Sequence, residues 1–252
     1  MPETSERPFA GHLALVTGAS RGIGGATAVA LAAAGAHVVL TARDTAALEA
    51  IEDAVHAAGG QATIAPMDLA EPEAIARLAV AVAERWPALD ILVHAAALLP
   101  ELTGVADLDG VIFGKALTTN VLATQALIAR FDPLLRRSAA GRLVHLTSNV
   151  ATHPRAWWGG YAAGKAAAEV LMDCYAQERR ALTPIRVAIL NPGPTRTRMR
   201  ARAYPGEDPA SVKPPEQVAE RIVALLREGF ESPHRETLAR SMAPAGEAGA
   251  AE

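Results

Sequence analysis

Six short, almost uninterrupted runs of apolar and β-branched residues constrain this chain more than any other feature. They cover residues 12–16, 37–41, 62–66, 89–94, 142–147 and 185–190. A strand with one wet face alternates apolar and polar residues; strands without that alternation are buried on both faces, as in parallel sheets. Between the runs, apolar residues return at helical spacing: Leu48, Ile51, Val55 and Ala58, then Ile75, Leu78, Ala79 and Val82. Val218, Ile222, Leu225 and Leu226 close the series, and Val121, Leu122, Gln125 and Ile128 follow it less cleanly. The alternation predicts right-handed βαβ units, hence an α/β protein whose doubly wound parallel sheet carries helices on both faces.

The 252 residues suit one domain, with a core over 10–240 and a frayed Ala/Gly/Glu tail at 243–252. With 50% hydrophobic residues and a net charge of −3, disorder and a strongly basic nucleic-acid surface are both excluded. No stretch reaches the ~18–20 apolar residues of a membrane helix. Acids at Glu3 and Glu6 stand where a signal peptide carries bases. The expectation is a soluble cytoplasmic protein. The single cysteine, Cys174, has no intrachain partner and is expected in the core. Seven histidines without ligand spacing, and no cysteine pair, predict no metal site. Residues 192–215, rich in proline and arginine, read as a long loop with short helical pieces.

Directly after the first run comes Thr17-Gly18-Ala19-Ser20-Arg21-Gly22-Ile23-Gly24, leading into an alanine-rich helix over 25–34. Gly18 permits a tight turn, Gly22 lets backbone approach a ligand, and Gly24 lets helix and strand pack. The free N–H groups at the helix start then suit a pyrophosphate. Further along, Tyr161 and Lys165 stand at i and i+4, neighbours on one helix face. Lowering a phenol from pH ~10 by ~3 units takes about 4 kcal/mol. One cation about 4 Å away, at an effective dielectric of ~20, supplies about that much. The pair therefore predicts an acidified phenol that moves a proton.

Thr17-Gly18-x-x-x-Gly22-x-Gly24 resembles the cofactor motif of the short-chain dehydrogenase/reductase family, in its compact, Rossmann-type, single-domain form. The resemblance covers nearly the whole chain. It implies that Ser148, thirteen residues before Tyr161, hydrogen-bonds a substrate carbonyl while Tyr161 transfers the proton. By the same resemblance Lys165 also holds the nicotinamide ribose, and Asn120 supports a proton-relay water. Around the cofactor it implies the glycine turn (Gly18, Ser20, Arg21, Gly22, Ile23, Gly24) and Ala95 with Ala96 after the fourth strand. Asp68 and Leu69 are placed to meet the adenine, with an N-cap before Pro72 as the rival use of Asp68. Pro192, Gly193, Thr195 and Thr197 match the segment that meets the nicotinamide or pyrophosphate. Two departures stand out: Ala97 replaces a family glycine, and no convincing β-rich run for a seventh strand lies between 228 and 244.

Enzymes choosing NAD place an acid near position 42 to bind the ribose 2′-hydroxyl. Here Ala42 is neutral and Arg43 follows, with Arg21 in the glycine loop, which favours NADP(H) over NAD(H) through a 2′-phosphate. Asp44, one residue on, would restore an acid if the register shifted. Leu99, His153, Trp158 and Pro194 are expected near the substrate, with His94 and His153 as packing or hydrogen-bonding residues. Trp157 and Trp158 suit an apolar pocket wall or plain core. Arg196, Arg198, Arg200 and Arg202 suit a solvated loop, or a site for an anionic substrate or carrier protein. The expected activity is NADP(H)-dependent reduction of a ketone or aldehyde, or the reverse alcohol oxidation. The rival is a nucleotide-binding regulator of the same fold. The resemblance also implies a homodimer or homotetramer through helices near 118–131 and 161–180.

Overall fold

The computed structural model describes residues 7–240, so the expected frayed tail at 243–252 lies outside the described residues. Seven parallel strands form one sheet in the order β3-β2-β1-β4-β5-β6-β7. They are β1 (Leu13–Thr17), β2 (His37–Thr41), β3 (Gln61–Ile64), β4 (Ile91–His94), β5 (Arg142–Leu146), β6 (Arg186–Asn191) and β7 (His234–Thr237). The six runs are therefore strands, with ends shifted by at most two residues.

Successive strand residues feed opposite layers, which is why the runs do not alternate. Val16, Val38, Leu40, Val93 and Leu190 pack under α1 (Gly22–Ala33), α2 (Thr45–Ala57) and α8 (Pro215–Glu228). Leu15, Val39, Leu92, Leu143 and Ile189 pack under α3 (Pro72–Arg85), α5 (Ala123–Leu135) and α6 (Gly159–Arg180). A fully buried leucine contributes about 1.5–3 kcal/mol over an exposed one, so both layers strongly fix strand register. Chain order reverses between β1 and β4, which opens a crevice at the carboxyl ends of the strands.

Several expectations need correction. β7 exists: His234–Thr237 runs parallel to β6 at the sheet edge. Its residues are charged and half exposed, the composition that blunts an edge against further pairing, so no apolar signal marks it. Main-chain pairing and ion pairs hold it instead, with Arg221 to Glu236 at 2.7 Å and Arg235 to Glu169 at 2.7 Å. Cys174 lies exposed on α6, not in the core. α1 starts at Gly22, three residues before the expected helix.

The helical run Gly110–Leu135, with mean hydropathy 1.3, is long and apolar enough by composition to cross a membrane, contrary to the expectation that none is. It joins α4 (Gly110–Leu117), a π-turn (Thr118–Leu122) and α5. Its inner face, with Leu127 and Phe131, is sheet core. The 192–215 segment holds two short helical pieces, α7 (Arg198–Ala203) and the 3₁₀ turn Pro209–Ser211, as expected.

Candidate active site

A cleft of about 1280 Å³ opens over the strand ends. One end is the turn between β1 and α1. Gly18 has φ +67°, and a Cβ on Gly24 would lie 2.3 Å from the Gly18 carbonyl oxygen, so packing here excludes any side chain. Arg21 is the N-cap of α1 and makes no side-chain cap, which leaves the first-turn N–H groups open toward the cleft. That donor set fits a pyrophosphate. Arg21 and Arg43 line the same end, and Arg43 approaches Asp68 at 3.9 Å. Asp44 caps α2, accepting from the Ala47 amide at 3.2 Å, so it serves the helix. Asp68 accepts from the Ala70 amide and does not cap α3, whose N-cap is Glu71.

The other end gathers the chemistry. Ser148, Tyr161 and Lys165 all line the cleft, as do Ala95, Ala96, Leu69, Pro192, Gly193, Thr195 and Thr197. Ser148 opens the 3₁₀ turn Asn149–Ala151, and its hydroxyl lies 3.4 Å from the Asn149 side-chain oxygen. Lys165 donates to the Leu146 carbonyl at 2.7 Å, and its ammonium lies 6.0 Å from the Tyr161 ring centroid. Burial pushes the Tyr161 phenol pKa up in the free protein, opposite in direction to the acidification expected from Lys165 together with an oxidised nicotinamide. The lysine charge, spent on a carbonyl, does not offset the loss of water around the phenol. Burial also pulls Lys165 down to about 8, opposed by the negative charge of Glu169.

Asn120 packs against α6, where a Cβ on Gly164 would meet its side chain at 3.2 Å. It is buried in the π-turn, outside the cleft lining, accepting from the Leu98 amide at 2.7 Å and donating to the Leu98 carbonyl at 2.8 Å. It pins the loop after β4. π-turns often mark functional sites, and this one aims a carboxamide inward. Ala97 lies outside the positive-φ region, so the glycine it replaces is not needed for this path.

Among the expected substrate residues, Leu99, Trp158 and Pro194 line the cleft. His153 does not; it is exposed and paired with the neighbouring Thr152 hydroxyl at 2.9 Å. Trp157 points to solvent at φ 73°, leaving Trp158 as the aromatic wall. His94 is a buried hydrogen-bonding residue, held by Thr17 at 2.8 Å and Thr124 at 2.9 Å, and burial holds it at about 3.

Three residues went unread in the sequence. Glu169, buried one helical turn past Lys165, accepts from the Thr147 hydroxyl and from Arg235 of β7. Arg235 also reaches Asp173. Lys213, 3% exposed, donates to Pro194 and Ala239 carbonyls and fastens the 192–197 loop. A lone acid on the lysine face of α6 is the one signal that spacing alone could have shown.

Comparison with known proteins matches this geometry. The short chain dehydrogenase family profile covers residues 12–208. The uncharacterised oxidoreductase YciK of Escherichia coli K12 is 36% identical over 218 residues, 85% of this chain and 86% of that one. A short chain dehydrogenase structure from Salmonella enterica serovar Typhi has TM-score 0.87 at 34% identity, covering 94% of this chain and 98% of its own. A Shigella flexneri structure described as a short chain dehydrogenase, complexed with NADP, has TM-score 0.85 at 33% identity, covering 92% and 98%.

Proposed function

The chain belongs to the short chain dehydrogenase family, and from that premise we propose that it is an NADP(H)-dependent oxidoreductase. It reduces a ketone or aldehyde, or oxidises the matching alcohol. The observation carrying this reading is that Ser148, Tyr161 and Lys165 share one cleft with the glycine turn.

When bound, the nicotinamide supplies the hydride. Ser148 and Tyr161 donate hydrogen bonds to the carbonyl oxygen. As the carbonyl carbon gains hydride, Tyr161 gives its proton to that oxygen, and the products are an alcohol and a phenolate. Solvent then returns the proton. A phenol kept protonated by burial suits the donor role. The Lys165 ammonium stabilises the phenolate through space.

Arg21 and Arg43, with Asp44 committed to capping α2, support a 2′-phosphate and hence NADP(H) over NAD(H). The NADP complex of the Shigella flexneri relative agrees. Self-association belongs to the same reading: Val111, Ile112, Leu122 and Val170 stand 67%, 40%, 57% and 61% exposed on α4, the π-turn and α6. Sedimentation should give a homodimer or homotetramer; a monomer at all concentrations overturns that part.

The central experiment follows NADPH consumption across a panel of aldehydes and ketones. Tyr161→Phe should lower the rate by about 10³-fold, within the general acid range, and keep NADPH affinity within a few-fold. Full activity in that variant overturns the mechanism.

A further inference from the structure

Resting on the reductase reading, we infer that the natural carbonyl substrate carries a second, anionic group: a carboxylate or a phosphate. Positive charge is distributed unevenly around the cleft. Acidic side chains line it only as Asp44 and Asp68, beside Arg21 and Arg43 at the glycine-turn end. At the Tyr161 end the lining charges besides Lys165 are arginines: Arg155, Arg196, Arg198, Arg200, Arg202 and Arg240. Arg200 is used structurally, bonded to Glu207 at 2.6 Å and stacked over the Tyr204 ring at 3.6 Å. Arg240 reaches the same Glu207 at 3.1 Å, whereas Arg155, Arg196, Arg198 and Arg202 have no acidic partner among the described residues.

The short helix α7 explains the arrangement. Met199 and Ala203 stand at i and i+4 and pack against the apolar cluster of Leu99, Val150, Tyr161 and Ala162. Arg198 and Arg202 precede them by one residue each and form the neighbouring row, which lines the cleft. Arg155 enters from the loop between Ser148 and Tyr161. Trp158, 5.8 Å from Tyr204 and 6.1 Å from Tyr161, walls the space between. An apolar slot beside the phenol, rimmed by four unpaired guanidinium groups, suits a flat or chain-like carbonyl compound with a charged tail. Guanidinium forks match carboxylate and phosphate oxygens. Exposed ion pairs are weak singly, so discrimination needs the set.

The test compares 4-carboxybenzyl alcohol with methyl 4-(hydroxymethyl)benzoate, an ester of similar shape that carries no charge at the far end. Calorimetry, with tryptophan fluorescence as a second readout, measures their binding to the NADPH-loaded protein. The carboxylate should bind about tenfold tighter, with the margin shrinking as salt rises from about 50 to about 500 mM and the Debye length falls from about 14 to about 4 Å. Arg198→Gln with Arg202→Gln should bring the carboxylate-to-ester ratio near one. Equal binding of the two alcohols, binding of neither, or a preference that survives the double variant overturns the inference. NADPH consumption with the matching aldehydes separates the two claims. A carboxylate preference in binding without turnover of either aldehyde counts against the reductase reading alone. Turnover of both at equal efficiency counts against the anionic substrate alone.

Discussion

The glycine turn between β1 and α1 is shaped by main chain within eight consecutive residues. The carbonyl end of the same cleft draws Ser148, Trp158, Tyr161, Lys165 and Met199 from segments that meet only after folding. The first end works by exclusion: a missing side chain lets Gly24 lie against the Gly18 carbonyl. The second works by charge and burial: one ammonium, one buried carboxylate and the arginine that holds it. Substitutions at the two ends should therefore fail in different ways, steric at one and electrostatic at the other.

The sharpest contrast comes from Gly24→Ala. A Cβ 2.3 Å from a carbonyl oxygen forces the turn open, and such overpacking costs typically 1–3 kcal/mol. NADPH affinity measured by fluorescence titration should fall about a hundredfold, with the pH profile of any residual activity unmoved. An affinity within threefold of the parent breaks the comparison.

A smaller effect is expected from Arg43→Ala, which removes charge from the main-chain end. The ratio of NADPH to NADH efficiency should fall about tenfold, since one charge-assisted hydrogen bond to phosphate is lost. An unchanged ratio would remove Arg43 from cofactor choice.

The subtlest test lies at the other end and has a sign. Lys165 acts as the ammonium, and burial lowers its pKa to about 8, so reduction should be full below that pH and decline as pH rises through it. The titratable groups facing it are Tyr161 and Glu169 on α6, His94 on β4 and His145 on β5, with Arg235 of β7 and Asp173 behind Glu169. Burial holds both histidines neutral near physiological pH. Glu169→Gln removes the negative charge that favours the ammonium, so the alkaline decline should move to lower pH by roughly one unit. Arg235→Gln strips Glu169 of its counter-charge, so the decline should move to higher pH. A merely structural role would lower activity in both variants without opposite shifts of the pH–rate profile.

How much of this was legible beforehand follows the range of the interactions. Five of the six apolar runs became strands because burial on both faces leaves a local signature; the third, β3 at the sheet edge, is only partly buried. The glycine turn was legible because sterics act between near neighbours. Tyr161 and Lys165 could be paired because a helix brings i and i+4 together. β7 was not legible: its His-Arg-Glu-Thr sequence pairs with β6 through main chain and ion pairs to α6 and α8. Asn120 was noticed, but not its grip on Leu98, which depends on two segments 22 residues apart. His153 was expected at the substrate from its nearness in sequence to Ser148, yet its loop turns it to solvent.

The order of residues alone settled the six apolar strands, the phosphate-ready turn and the phenol–ammonium pair, since each depends on periodicity or on contact within a few residues. Folding decided the proton affinity of Tyr161, the counter-charge on Glu169 and the distribution of unpaired arginines around the cleft. Those quantities sum desolvation and Coulomb energy over groups far apart in the chain, and no local pattern carries that sum.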